Sequence, residues 1–278
     1  MKPQILIGAD PELFAYKGDN FLSVHDILPG TKNNPVKVPN GAIQVDGVAA
    51  EFNIDPAANE TVFYTNVVSV RSFLQNFLRI NSPGTELLAR PTATFDKAYF
   101  DSLPDYVKAL GCEPDFSAYT KKPNPKPETD QPFRTGSGHV HIGWTEKTEE
   151  EIYGGHFLYC CDLVQELDAT IYPVSYLWDD DTSRRQLYGM QGSFRPKKYG
   201  LEYRVLSNAW VESEWATRYV YKLVHNVTER FLNGDSTKTA LEKMGQKSNS
   251  LSDLFERFEL LGLPLPPPEV IEVYNKIG

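Results

Sequence analysis

Residues 184–208 read RRQLYGMQGSFRPKKYGLEYRVLSN and form the most informative stretch of the chain. Two runs in it, GSFRP and GLEYRVLSN, are typical of strands joined by a turn. Four arginines and two lysines lie between Arg184 and Arg204, although the whole chain has a formal net charge of -9. The planar guanidinium fork suits bidentate capture of phosphate or carboxylate oxygens. The stretch therefore predicts a strand pair that binds an anion.

Glu202 and Arg204 are two residues apart on the second of these strands, so their side chains share one face. Arg195 precedes Pro196 and is expected at a strand end. Glu202 is a candidate metal ligand, while both arginines are candidates for binding phosphate. The alternative is a structural salt bridge between Glu202 and Arg204, and the sequence leaves both readings open.

Two histidines stand in a glycine-rich run, GSGHVHIG, at residues 136–143. His139 and His141 alternate with apolar Val140 and Ile142, so both imidazoles are expected on one strand face. The flanking glycines allow close approach of the backbone. A neutral imidazole can ligate a metal, and either ring can donate to a phosphate. A surface H-x-H without function is the competing interpretation.

Acidic pairs occur twice in the first 51 residues. Asp10 and Glu12 lie on one predicted strand over residues 5–16, and Asp46 and Glu51 flank a predicted hairpin at Asp46-Gly47. Hard carboxylate ligands suit Mg²⁺ or Mn²⁺ rather than zinc. The alternatives are a turn at Asp10-Pro11 with Glu12 in water, and an edge position at which Glu51 faces solvent.

The remaining pattern mixes helices and strands. Apolar residues at helical spacing predict helices over 60–80, 149–171 and 212–232, the last ending at Asn233-Gly234. Residues 85–95 and 133–144 are each predicted as one strand, and KKPNPKPETDQP at 121–132 as a loop or flap. Strands joined by turns rather than by regular crossover helices favour an α+β fold. The expected sheet is largely antiparallel, with helices on one face.

Composition excludes several classes of protein. With 278 residues, 41% apolar and 23% charged, the chain is typical of globular proteins, and its acidity disfavours nucleic acid as the main partner. Adjacent Cys160 and Cys161 are expected to be buried thiols in a reducing compartment. No signal peptide or membrane span is predicted, so the expected location is the cytoplasm. Neither a P-loop nor a Rossmann motif occurs.

The order of the motifs resembles the glutamine-synthetase superfamily. D-P-E at 10–12, D-G-x-x-x-E-F at 46–52, G-S-G-H-V-H-x-G at 136–143 and F-R-P-x-x-x-G-x-E-Y-R at 194–204 follow one another. Together they look most like the phage-associated carboxylate–amine ligases, or amidoligases, and are also similar to the glutamate–cysteine ligases. The resemblance spans residues 5–210. It implies a glutamine-synthetase-like domain with a curved, mostly antiparallel sheet and helices on its outer face.

The resemblance also implies ligands and roles. Acidic side chains would hold two or three divalent ions, Mg²⁺ or Mn²⁺, that bind the phosphates of ATP, while arginines would neutralise the transferred phosphoryl group. The predicted metal ligands are Glu12, Glu51, His139 and Glu202. The predicted nucleotide-binding residues are Arg195, Arg204 and His141, together with Arg185 from the basic run, and Arg195 and Arg204 would be catalytic. The roles of Asp10 and Asp46 stay open.

The implied activity is ATP-dependent amide formation through an acyl phosphate, from small-molecule or peptide acids and amines. A guanidino kinase, a non-catalytic virion-associated protein of the same fold and a metal-dependent hydrolase are the alternatives. Residues 1–234 are predicted to form the catalytic domain and 235–278 a helical extension packed on it. A phage-encoded protein would act in the host cytoplasm. The sequence leaves the substrates and the oligomeric state open.

Overall fold

A computed structural model describes residues 4–109, 115–125, 131–144, 155–248 and 250–277. Its strands are β1 Ile5–Ala9, β2 Glu12–Lys17, β3 Asn20–Leu22, β4 Val36–Val38, β5 Gly41–Asp46, β6 Ala49–Ile54, β7 Glu86–Leu88, β8 Thr92–Thr94, β9 Phe116–Ser117, β10 Phe133–Thr135, β11 Val140–Trp144, β12 Ser193–Lys197 and β13 Gly200–Tyr203. Its helices are α1 Glu60–Asn81, α2 Lys97–Ser102, α3 Asp105–Lys108, α4 His156–Val174, α5 Thr182–Leu187, α6 Glu214–Leu232, α7 Thr237–Met244, α8 Leu251–Leu261 and α9 Pro268–Ile277. The predicted α+β class is confirmed.

Two larger sheets and a strand pair make up the β structure. One sheet has the order β1-β11-β13-β12-β9, and the other has the order β3-β2-β6-β5-β4 with β7 also paired to β2. Strands β8 and β10 form the separate pair. All of these strand pairs are antiparallel, as the sequence predicted.

The two residues between β1 and β2 join the larger sheets. The amide of Asp10 donates to the carbonyl of His139 over 3.3 Å, which continues the β1–β11 ladder. On the other side, the amide of Phe52 donates to the carbonyl of Pro11 over 3.1 Å. The ends of both sheets therefore meet along this short segment.

The prediction of one uninterrupted strand over residues 5–16 is wrong. The strand breaks at Asp10-Pro11, because the proline nitrogen has no hydrogen to donate to a ladder. Residues 85–95 are likewise split into β7 and β8, with Pro91 between them. Residues 133–144 are split into β10 and β11, where Gly136 packs so closely that a Cβ there would lie 2.3 Å from Nδ2 of Asn208.

Alternation along the first sheet separates an apolar face from a polar one. Helices α4 and α6 contact the apolar face of this sheet, and α1 contacts β5 and β6. The residues of the apolar face belong to the main hydrophobic core: Ile7, Ala9, Val140, Ile142, Phe194, Leu201 and Tyr203. Since these helices cover the apolar face, the opposite face carries the polar side chains discussed below.

The predicted helices form where their caps and apolar stripes indicate. The side chain of Asn59 accepts the amide of Val62 at the start of α1, and α6 begins behind a similar cap from Ser213. Helix α6 ends at Leu232, and Gly234 follows with φ of +86°, as expected for a helix stop. The predicted start of the second helix, at 149, lies outside the described residues, as do residues 126–130 of the predicted flap.

The C-terminal helices α7 and α8 share the main core with the preceding elements. Glu166 on α4 accepts the hydroxyl of Ser236 over 2.6 Å and the amide of Lys238 over 2.7 Å at the start of α7. The division into residues 1–234 and 235–278 stays a prediction. Among the described residues, no helix combines the length and hydropathy needed to cross a membrane.

Candidate active site

Three functional side chains form one row across the first sheet. His141 on β11 lies directly opposite Glu202 on β13, and Glu202 lies opposite Arg195 on β12. Directly opposed residues of an antiparallel ladder project from the same face. Gly8 continues the row on β1, opposite His141, and adds no side chain. The row is therefore a polar strip flanked by backbone at its β1 end.

Glu202 is the centre of this strip and is only 1% exposed. Its Oε2 lies 3.1 Å from Nη1 of Arg195 and 2.9 Å from Nζ of Lys197, and its Oε1 accepts from Arg204. The salt bridge with Arg204, which the sequence left open as the alternative, is thus present. The metal-ligand role of Glu202 stays a prediction, because Arg195, Lys197 and Arg204 already donate to both of its oxygens.

Asp10 approaches Glu202 from the break between β1 and β2. Its Oδ2 lies 3.1 Å from Nε2 of His141, and its Oδ1 lies 3.4 Å from Nδ1 of His139. Burial would raise the pKa of Asp10, but the two histidines, led by His141, hold that pKa well below its usual range. Asp10 is therefore an anion, and ligand atoms of Asp10, His141 and Glu202 lie within 4.8 Å of one another.

A second acidic cluster lies on the adjoining sheet and contains Glu12, Asp46 and Glu51. Their carboxylate oxygens also lie within 4.8 Å of one another, and Glu12 is directly opposite Glu51. Oε1 of Glu51 accepts from Nε2 of Gln44 over 2.8 Å, and Oε2 of Glu12 accepts the amide of Ser137 over 3.0 Å. These bonds fix the two carboxylates while leaving an oxygen of each for another partner.

Burial and neighbouring negative charges shift the pKa values of the carboxyl groups in this cluster. Burial, with the charge of Asp46, raises the pKa of Glu12 to about 7. Burial and the charges of Asp10, Asp46 and Glu12 raise the pKa of Glu51 well above its ordinary value. Such shifts are expected where like charges share a buried site without a counter-ion. An all-oxygen donor set of this kind fits Mg²⁺ or Mn²⁺.

The two histidines differ in their surroundings. Burial and the charge of Arg204 lower the pKa of His139 to about 4, so this ring is neutral near pH 7. Burial also lowers the pKa of His141, but the carboxylate of Asp10 outweighs it and the net shift is upward. Among the described residues, Nε2 of His139 is buried without a hydrogen-bond partner, while Nε2 of His141 and Oδ1 of Asp10 have only the ion-pair contacts given above. Such orphaned polar atoms fit a bound cation.

Residues 131–248 match the family model described as "Phage phiEco32-like COOH.NH2 ligase-type 2". This part of the chain is similar to the phage amidoligase family. No curated protein matched the chain. The family predicted from the motif order is confirmed.

The amidoligase match covers only one half of the site. It contains His139, His141, Arg195, Glu202 and Arg204. The acidic residues Asp10, Glu12, Asp46 and Glu51 precede the matched range and reach the amidoligase residues through the joined sheets. Their assignment to the site therefore depends on the geometry of this chain.

The structure does not bring Arg185 to either cluster. Its guanidinium donates to Oγ of Ser175 and to the carbonyl of Asp179, at 3.1 and 2.9 Å, and lies 4.0 Å from the ring centre of Tyr176. Neighbouring Arg184 is completely buried and donates to three backbone carbonyls. Because α5 turns both arginines into the protein, these contacts do not support the nucleotide-binding role of Arg185, which stays a prediction.

The structure adds residues to which the sequence assigned no definite role. Asp10 and Asp46, whose roles were open, complete the two acidic groups. Tyr188 accepts from Nη2 of Arg204, and Tyr199 contacts His141. Lys197 was noted only as part of the basic run, and its alternation with Arg195 on one strand was the available signal. No local pattern indicates Gln44 or Tyr188.

Proposed function

We propose that the protein is an ATP- and divalent-cation-dependent ligase that joins a carboxylate to an amine. One observation carries the proposal. A cluster of carboxylates (Glu12, Asp46, Glu51) adjoins a cationic strip, made of Arg195, Lys197 and Arg204. The two groups belong to the sheets that meet between β1 and β2. Phosphoryl transfer from a metal–nucleotide complex requires this pairing of charges. The family description, a COOH.NH2 ligase, supports the same reaction class.

The cationic strip suits the phosphates of ATP. Arg195, Lys197 and Arg204 are held around the carboxylate of Glu202, which keeps their charges close together before a ligand arrives. In the proposed reaction, Arg195 and Arg204 neutralise the phosphoryl group as it moves. His139, neutral and beside Arg204, orients that guanidinium without adding charge.

Two donor sets would hold divalent ions. Glu12, Asp46 and Glu51 form the first, and Asp10, His141 and Glu202 form the second. Bound Mg²⁺ or Mn²⁺ would supply charge neutralisation for the ATP phosphates. The same proposal includes a curved sheet of the glutamine-synthetase type.

The proposed chemistry has two steps. An oxygen of the substrate carboxylate attacks the γ-phosphorus of ATP, the bond to the bridging oxygen breaks, and ADP leaves. The amine nitrogen then attacks the acyl carbon, inorganic phosphate departs, and the amine loses a proton. The side chains position the reactants and neutralise charge, so no protein nucleophile is needed. The substrates are small-molecule or peptide acids and amines, and the host cytoplasm would supply the ATP.

The test incubates the protein with Mg²⁺-ATP and pooled amino acids and amines. We expect ADP release together with a new mass that equals acid plus amine minus water. Glu51→Gln, which removes a charge from the acidic cluster, should abolish both. A phosphorylated guanidine would instead indicate a guanidino kinase, and ADP release without any amide would contradict ligation.

A further inference from the structure

Tyr199 lies at the rim of the site, in the turn that joins β12 and β13. Its hydroxyl lies 2.5 Å from Nδ1 of His141, and the two ring centres are 6.1 Å apart. The side chain is nevertheless 46% exposed. An exposed aromatic ring gains little from burial, so the contact with His141 distinguishes this residue from other surface tyrosines.

The backbone around Tyr199 keeps it in this place. Its carbonyl accepts the amide of Trp144 over 3.1 Å. A Cβ on Gly200 would lie 2.0 Å from the carbonyl oxygen of Ile142, so only glycine allows the hairpin to approach β11 this closely. Gly143 lies beneath the tyrosine ring, where a Cβ would be 3.6 Å from Cδ2. The turn therefore holds the ring over β11.

The two nitrogens of His141 have different neighbours. Nδ1 is next to the hydroxyl of Tyr199, and Nε2 is 3.1 Å from Oδ2 of Asp10. A neutral imidazole carries one hydrogen, and the partner of one nitrogen decides whether the other offers a lone pair. Metal-binding histidines generally donate their second N–H to an oxygen acceptor. A tyrosine hydroxyl can be that acceptor.

We propose that Tyr199 is a positioning residue whose hydroxyl accepts the Nδ1 hydrogen of His141 and so directs the Nε2 lone pair toward a divalent cation at Asp10 and Glu202. This inference rests on the cation binding of the proposed function, and it adds a residue outside both donor sets. Gln44 and the amide of Ser137 act in a comparable way on Glu51 and Glu12.

The experiment measures Mn²⁺ binding to the nucleotide-free protein from the electron paramagnetic resonance signal of free Mn²⁺. Tyr199→Phe should weaken one class of site about 10- to 100-fold, as for other lost partners of metal ligands. His141→Gln should affect the same class, and Glu51→Gln a different one. The matched control is Tyr176→Phe, because Tyr176 is 40% exposed and its hydroxyl lies 3.4 Å from that of Tyr172.

Equal Mn²⁺ affinity in the wild type and in Tyr199→Phe overturns the inference, whatever the amide assay gives. A wild type that binds no Mn²⁺ overturns it as well. Nitrogen-15 shifts of His141 in the Mg²⁺-loaded wild type provide a measurement that needs no variant. We expect the hydrogen on Nδ1, and a hydrogen on Nε2 would contradict the proposal even if Tyr199→Phe did not fold.

Discussion

Arg195 is the side chain on which the proposed reaction depends most directly. Its guanidinium donates to both oxygens of Glu202, at 3.1 and 3.3 Å, and is only partly buried. We predict that Arg195→Lys slows turnover about 10³-fold, or about 4 kcal/mol, because lysine keeps the charge but loses the planar fork. ADP release under saturating ATP measures the effect.

The control for Arg195→Lys is Arg79→Lys, which changes an exposed arginine paired with Glu86 and should leave turnover unchanged. The competing role of Arg195 is to hold the turn between Pro196 and Gly200. A lower melting temperature with near-normal turnover in Arg195→Lys would support that role and remove the residue from the mechanism.

At the residue scale, the sequence predicted the chemical types better than their partners. Side chains two residues apart lie on one face of a strand. This alternation made two pairs recognisable: His139 with His141, and Glu202 with Arg204. Asp10 was not assigned, since its contacts with the histidines depend on the pairing of β1 with a distant strand. Arg185 was assigned to the site on local charge density, which does not show which way a helix turns its side chains.

The hairpin of β12 and β13 is the element that presents most of the cationic strip. Gly200 lets this hairpin pack against β11, because a Cβ at this position would lie only 2.7 Å from the ring of Trp144. We predict that Gly200→Ala lowers the free energy of unfolding by about 3 kcal/mol, because the hairpin must shift away from β11. Urea denaturation measures the change.

Gly18→Ala is the matched control for Gly200→Ala. Gly18 also has a positive φ, +61°, but a Cβ there would meet nothing within 4 Å. Its cost should be about 1 kcal/mol, from backbone strain alone. Equal losses in the two variants would contradict the steric account of Gly200.

At the element scale, helices were predicted well because caps and apolar stripes are local. Asn59 starts α1 and Gly234 follows the end of α6, as their positions in the sequence indicate. Strands were predicted less well, because a local run such as residues 5–16 does not reveal which sheet each half joins. Pro11 was the available signal for the break.

Across the whole molecule, the uncompensated acids of the site should make stability depend on pH. The pKa of Glu12 is raised to about 7 in the folded protein, so the fold binds more protons than the unfolded chain between its ordinary value of 4.5 and 7. Stability should therefore fall as pH rises through this window in chelator, by an amount on the order of 3 kcal/mol. Thermal unfolding from pH 4.5 to 8 measures it.

The raised pKa of Glu51 adds to this pH dependence of stability, and the lowered pKa of His139 opposes it. The variant Glu12→Gln therefore isolates the contribution of Glu12. Glutamine can still accept the amide of Ser137. The variant should gain stability relative to the wild type as pH rises, and Mg²⁺ should stabilise the wild type more. Parallel pH profiles of the two proteins would show that Glu12 titrates normally.

The segment between β1 and β2 also has a consequence for how the chain folds. The backbone of Asp10 is hydrogen-bonded to residue 139, and the backbone of Pro11 is hydrogen-bonded to residue 52. The site is therefore complete only after contacts between residues distant in sequence have formed. Such non-local pairings form slowly. A partly folded chain with only the hairpin of β5 and β6 would hold Asp46, Glu51 and Gln44 without Glu12. Cation binding should therefore be among the last properties to return during refolding, after helix content has recovered.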